Sequence, residues 1–302
     1  MARDSTADVA GVTVGLGSPV AVMGVINVSP ESFHAGSVYQ GDEAVVRAGL
    51  AMVEAGAVLI DVGARSTAPY ITAAIDEAEE AARLAHAVEL LVAKLPVPIS
   101  ADTPRPAPAR AALEAGARVI NDVSCLRDPA LARLIATHDA SLILMAAPEP
   151  AGAPATGARS RPPVSSRRPG ASRRSPVATI KALLAAGLRR ARAAGIPARR
   201  IVVDPGIGFF RGEAVAWPEW DLRVLAGLPA LRTLGRPLAV GVSRKSFLGA
   251  VLERPDTADR LAGSLAATAV AVAHGAALIR THDVAETRDA VRIAQRLRQA
   301  RP

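Results

Sequence analysis

From residue 20 to the carboxyl terminus, eight short apolar runs alternate with eight segments of helical periodicity, and that alternation leaves few folds open. The runs cover 20–28, 58–63, 98–103, 119–124, 141–147, 201–206, 237–243 and 278–284. Segments with apolar residues at helical spacing lie at 42–55, 75–95, 106–115, 129–138, 177–194, 221–234, 257–274 and 285–301. Strand followed by helix, repeated, gives parallel strands whose faces the helices cover. Eight such units point to a closed barrel rather than an open doubly wound sheet. The pattern therefore predicts an α/β chain forming a single (β/α)8 barrel domain over 1–302, and 302 residues is close to the usual size of that architecture. An interior built from Ala, Val and Leu, with aromatic residues at only 3%, suits short strands under alanine-rich helices. Gly56, Gly116 and Gly275 each stand just before a run, where glycine can take the left-handed conformation that ends a helix.

Net charge is +8, which raises the question of a nucleic-acid partner. The excess is local. Residues 151–176 hold Arg159, Arg161, Arg167, Arg168, Arg173 and Arg174 and no acid, so removing these six from +8 leaves +2 elsewhere. This Arg/Pro/Ser-rich insertion lacks periodicity and is expected to be disordered at the barrel rim. It could touch RNA or an anionic substrate, but a solvated insertion is the simpler reading, and no nucleic-acid partner is expected. No run of about 18 apolar residues is present, so no membrane span is expected. The first 18 residues do not read as a secretory signal, which makes the cytoplasm the default compartment. Cys125 is the single cysteine and reads as a small core or core-edge residue.

Polar residues inside apolar strands need partners, so they mark places of interest. Here they gather at the carboxyl ends of the runs: Asn27, Asp61, Asp102, Asn121, Asp204, Ser243 with Arg244 and Lys245, then Arg280 and His282. In a barrel those ends form one face, the face that carries active sites. Asp61 could simply accept backbone hydrogen bonds from the loop that follows it. Asp102, Asn121 and Asp204 supply carboxylate and amide groups suited to a flat ring with adjacent N–H donors and carbonyls, unless they form a polar plug satisfied by water. Lys245, Arg280 and His282 converge where barrels often hold phosphate, and suggest an anion. Lys245 could alternatively serve as a Schiff-base nucleophile, although no dedicated base lies nearby. Asn27 offers a neutral oxygen to Mg2+, which takes few protein ligands besides phosphate oxygens.

Seven segments in order, MGVINVSPESF (23–33), LIDVGARSTAPY (59–70), ISADT (99–103), GARVINDVS (116–124), VVDPGIGF (202–209), GVSRKSFLG (241–249) and IRTHDVAET (279–287), closely resemble the dihydropteroate synthase family. The resemblance covers nearly the whole chain outside 151–176 and the termini. It implies a transferase of the alkyl- or aryl-transfer class that joins 6-hydroxymethyl-7,8-dihydropterin pyrophosphate to p-aminobenzoate in folate biosynthesis. Asp102, Asn121, Asp204 and Lys245 would bind the pterin, with Met145 and Phe209 beside it. Asn27, Arg280 and His282 would hold the pyrophosphate with Mg2+, Asn27 being the metal ligand. Phe33, Arg65, Ser66, Thr67 and Ser246 would surround the amine. The resemblance also implies a homodimer.

Departures from the family pattern concentrate on the amine side. Arg65 and Ala68 stand where the family has Glu and Arg, Ala146 replaces a His, and Glu31 and His34 differ in the first loop. The STAPY loop resembles relatives associated with methanopterin-type cofactors, whose arylamine carries a ribosyl phosphate. Two further readings are a transfer onto that phosphorylated amine, with Arg65 as a phosphate partner, and a pterin-binding protein without catalysis.

Overall fold

The structure, a computed structural model, describes residues 6–28, 41–65, 75–148, 175–211 and 215–300. A short antiparallel hairpin comes first, β1 (Ala7–Val9) and β2 (Val12–Val14). Eight parallel strands then close a barrel: β3 (Ala21–Asn27), β4 (Leu59–Gly63), β5 (Ile99–Asp102), β6 (Val119–Asp122), β7 (Ser141–Met145), β8 (Ile201–Asp204), β9 (Leu238–Gly241) and β10 (Ala276–Thr281). Neighbours in sequence are neighbours in the sheet, and β10 pairs with β3 to complete the ring. The helices outside are α1 (Asp42–Glu54), α2 (Glu77–Val92), α3 (Pro106–Glu114), α4 (Pro129–Thr137), α5 (Pro176–Ala193), α6 (Trp217–Ala226), α7 (Ser246–Leu252), α8 (Leu261–Ala273) and α9 (Val284–Gln299). The eight-stranded barrel expected from the alternation is the observed fold.

Alternation along each strand sorts the side chains into two separate cores. Ile60, Ile99, Ile120, Leu142, Val203 and Ile279 face outward and pack with helix residues such as Leu84, Leu131 and Leu184. Met23, Leu59, Val119, Ile143, Val202, Ala239 and Leu278 form the inner core. Two residues further along the same strands the inner position turns polar: Leu59 is followed by Asp61, Val119 by Asn121, Val202 by Asp204 and Leu278 by Arg280. One pleat, roughly 7 Å of strand, thus separates an apolar floor from a polar mouth.

The hairpin was not anticipated from the sequence. Val9 and Val14, both fully buried, join the inner core, and Ser141 at the start of β7 ties the turn down by accepting from the Ala10 N–H at 3.1 Å and donating to the Asp8 carbonyl at 3.2 Å. The hairpin therefore closes the amino-terminal end of the barrel. Its strands are three residues each, too short for an alternation signal, and only the Ala10-Gly11 turn, both residues at positive φ, hints at it.

Two helical expectations need correction. The segment 221–234 is not one helix: α6 begins four residues earlier and ends at Ala226, and a 3-10 helix follows over Leu228–Leu234, with Gly227 and Pro229 marking the break. The insertion set at 151–176 gives up its last two residues to α5, because the Ser175 hydroxyl accepts from the Ala178 N–H and Pro176 takes the first helical position. Residues 151–174 lie outside the described residues. Gly56, Gly116 and Gly275 do stop their helices at positive φ (107°, 109° and 103°).

Candidate functional site

Asp61, near the carboxyl end of β4, organises the mouth. It is fully buried and accepts from three side chains: Ser100 Oγ at 2.6 Å, Asn121 Nδ2 at 3.0 Å and Arg280 Nε at 2.6 Å. The loop-capping alternative is thus not what Asp61 does; its partners come from β5, β6 and β10. Arg280 reaches across to a second carboxylate, with Nη2 2.8 Å from Asp102 Oδ2. The guanidinium therefore bridges two acids, with Gly241 on the adjoining strand facing its stem.

Asp102 is left half satisfied. Its Oδ1 is buried and has no hydrogen-bond partner among the described residues, a costly arrangement for a protein to keep without purpose. Burial pushes the Asp102 carboxyl up to about 7, opposed by the nearby Arg280 charge and reinforced by Asp61. Asp204 on β8 is likewise raised by burial, to about 6, and its Oδ1 accepts from the Gly206 N–H at 2.7 Å. Lys245 is driven the other way: burial and Arg280 lower it to about 8, while Asp204, Asp221 and Asp102 hold it up. Its ammonium sits 4.7 Å from the centroid of Phe209. Phe209 in turn packs with Met145 and Cys125. Asp102, Asn121, Asp204, Lys245, Met145 and Phe209 are thereby brought to one end of the barrel.

His282 follows β10, and Ser243 follows β9. The Ser243 hydroxyl oxygen accepts from the His282 backbone N–H at 3.2 Å and lies 2.9 Å from its Nδ1. When that hydroxyl donates to Nδ1, the imidazole proton resides on Nε2. Arg244, between Ser243 and Lys245, has a different task. It grips both oxygens of Asp283 (2.9 and 2.6 Å) and the carbonyls of Thr257 and Ala258, locking the loop that carries Lys245. Asn27 closes β3, its Oδ1 about as near to Gly63 as an added Cβ could tolerate (3.4 Å), on the side where Asp102 also lies.

The amine side is less completely described. Arg65 is half-buried where β4 ends, and its Nε has no partner among the described residues. Ser246 opens α7 and accepts from Arg211, whose guanidinium stacks 3.8 Å from the ring centroid of Trp217. Phe33, Ser66 and Thr67 lie outside the described residues, as do Glu31, His34 and Ala68. Cys125 is fully buried and its thiol donates to the Leu183 carbonyl at 3.3 Å, in keeping with a core role.

A cleft with an orphaned acidic acceptor, a guanidinium held between two carboxylates and a histidine presenting a proton can bind a planar donor-rich ring beside an anion. Comparison with known proteins identifies which family builds it. The model of the pterin binding enzymes matches residues 23–282. The chain belongs to the pterin-binding enzyme family. Among members of this family, the dihydropteroate synthase of Mycobacterium leprae is 38% identical over 287 residues, covering 91% of this chain and 93% of that one. The dihydropteroate synthase of Xanthomonas albilineans solved with 4-aminobenzoic acid superposes with a TM-score of 0.81 at 37% identity, covering 99% and 100% of the two chains. The same enzyme in complex with 7,8-dihydropteroate gives 0.78 at 36% identity, covering 98% and 100%.

Sequence reasoning overlooked several residues. Ser100 could have been found, because it stands two positions before Asp102 and so shares its face. Asp221 stands three and four positions before Val224 and Leu225, which marks an acid on the buried face of α6, whereas Arg211 carries no such sign.

Proposed function

We propose that this chain is a dihydropteroate synthase, a transferase that joins 6-hydroxymethyl-7,8-dihydropterin pyrophosphate to p-aminobenzoate and releases pyrophosphate. The observation that carries the reading is Asp102, buried, with one oxygen on Arg280 and the other awaiting a donor. A pterin edge supplies adjacent N–H groups for such an acceptor, and Asn121 and Asp204 add the remaining polar contacts. Relatives bearing that name match over nine-tenths of the chain.

The chemistry follows from the charges. As the C–O bond to the pyrophosphate breaks, the electron pair leaves with the phosphate oxygens, where Arg280 and His282 stabilise it. Positive charge on the exocyclic carbon spreads into the ring and is favoured by the Asp102 and Asp204 carboxylates. The amine nitrogen then forms the C–N bond and gives up a proton; an arylamine needs no strong base for this. Magnesium would suit Asn27, which ends β3, the strand that pairs with β10, and offers a neutral oxygen to a cation that takes few protein ligands besides phosphate oxygens. When bound, it would neutralise charge on the leaving pyrophosphate.

Amine-dependent release of pyrophosphate from the pterin substrate tests the proposal, with p-aminobenzoate and its ribosyl-phosphate analogue as separate arms. Release with p-aminobenzoate supports it. Release with the phosphorylated amine alone would reassign the acceptor, and pterin binding without release would mean a non-catalytic protein.

Binding in this scheme needs ionised Asp102 and Asp204 and protonated Lys245. Because the acids are raised to about 7 and about 6, lowering pH protonates them and removes acceptors; because Lys245 is lowered to about 8, raising pH removes its charge. The pH profile of kcat/KM for the pterin substrate should therefore rise through pH 6–7 and fall near 8, and a flat profile from about pH 5.5 to 9 would contradict this assignment.

The protein is further proposed to work in the cytoplasm, as a single-cysteine chain acting on small water-soluble substrates, and to form a homodimer. Support for the dimer is the exposure of large apolar side chains on two neighbouring helices, Val270 of α8 at 41% and Ile293 and Leu297 of α9 at 67% and 65%. Sedimentation of a monomer at micromolar concentration would refute self-association.

A further inference from the structure

We propose that Asp221, on the outer helix α6 and not itself assigned to substrate, is a positioning residue that fixes one wall of the pterin pocket through the Gly208 amide. The inference rests on the pterin reading above. Asp221 is 1% exposed, and its Oδ1 accepts from the Gly208 N–H at 2.9 Å. Gly208 belongs to the turn 204–209, which follows β8 at the mouth of the barrel, beside the site. That turn is fastened at its near end by Asp204, which takes the Gly206 N–H, and internally by the Phe209 N–H on the Gly206 carbonyl at 3.1 Å. Asp221 supplies the far fastening.

What the fastening holds is the contact between Phe209 and Lys245. Gly208 has φ +89°, and the Lys245 stem lies so close that a Cβ there would stand 3.1 Å from its Cδ. The ammonium then comes to rest 4.7 Å from the Phe209 ring centroid. A left-handed glycine is a soft joint, open to several conformations once its amide is released. Releasing it frees Phe209 to swing and opens the space that seats Lys245. The second oxygen of Asp221 is buried and has no hydrogen-bond partner among the described residues, and its neighbours in charge are Lys245 and Arg211. An uncompensated buried oxygen is a poor choice for stability alone, which argues that the carboxylate is kept for what it does to the turn.

Two variants separate acceptance from bulk. Asp221→Asn keeps an oxygen for the Gly208 N–H, and Asp221→Leu fills similar space without one. Titration calorimetry with 6-hydroxymethylpterin should show binding about tenfold weaker for Asp221→Leu and within about threefold of wild type for Asp221→Asn, the loss of one buried hydrogen bond. Pyrophosphate with Mg2+, titrated separately, should bind both variants as it binds wild type, since its proposed contacts come from β3 and β10. Should Asp221→Leu fail to fold, Asp221→Ala makes the same comparison. Equal pterin affinities for the Asn variant and its non-accepting counterpart would overturn the inference, as would parallel weakening of both ligands. A wild-type protein that binds pyrophosphate but no pterin would instead defeat the pterin reading on which the inference stands.

Discussion

Replacing Arg280 with alanine is expected to lower kcat/KM by about 10²–10³-fold, the range for removing one donor from a preorganised anion site. Stability should fall as well. Asp61 is fully buried, and without the guanidinium its charge keeps only Ser100 and Asn121 as partners, a change of the kind that costs about 3–5 kcal/mol. Lysine is expected to be a poor substitute, because one ammonium cannot reach Asp61 and Asp102 from the planar fork that now spans them at 2.6 and 2.8 Å. Steady-state kinetics with thermal melts of Arg280→Ala and Arg280→Lys check both parts. Activity within threefold of wild type in either variant would remove Arg280 from the proposed machinery.

Gly206→Ala should be nearly as damaging for a reason unconnected with charge. A Cβ at this position would lie 2.2 Å from the Ala146 carbonyl oxygen, which is backbone and cannot rotate aside, and the residue sits at φ +72°. That carbonyl belongs to a segment already fixed by the Ala146 N–H bonding the Asp204 carbonyl at 2.8 Å. Relief must come from moving the turn, carrying Asp204 and Phe209 out of position. A loss of about 3 kcal/mol in stability and of measurable pterin binding is expected, from local strain of the sort that costs about 1–3 kcal/mol before any clash is added. A Gly206→Ala protein that melts and binds pterin like wild type would show that the turn has slack the structure does not display.

The barrel and most of its mouth were legible in the sequence because a parallel strand buried on both faces leaves no ordinary place for Asp, Asn, Arg or Lys. Asp102, Asn121, Asp204 and Arg280 therefore stood out by position alone. The connections among them did not. That Asp61 would take Ser100, Asn121 and Arg280 follows from closure of the ring, which brings β10 beside β3 and two strands from β4, where Asp61 stands. Pairings of that kind depend on register and not on local pattern. Asp221 was hidden for a different reason: it shares the buried face of its helix with Val224 and Leu225, but the loop it meets lies 13 residues earlier and cannot be read from the helix pattern. The hairpin escaped because three-residue strands carry too little alternation to register.

The filled interior also decides how traffic through the molecule is arranged. With the inward side chains of the strands packed below the mouth and Val9 and Val14 joining them at the amino-terminal end, the barrel is a cup and not a tube. Ligands must then enter and leave by the one mouth. The ring site proposed at Asp102, Asn121 and Asp204 lies one pleat above the apolar floor, so in the proposed scheme an amine bound nearer the opening before the ring arrives would stand in the doorway of the deeper compartment. Order of addition and the tendency of amine analogues to trap whatever lies beneath them would then both be inherited from the packed interior of the barrel, from side chains assigned to no substrate.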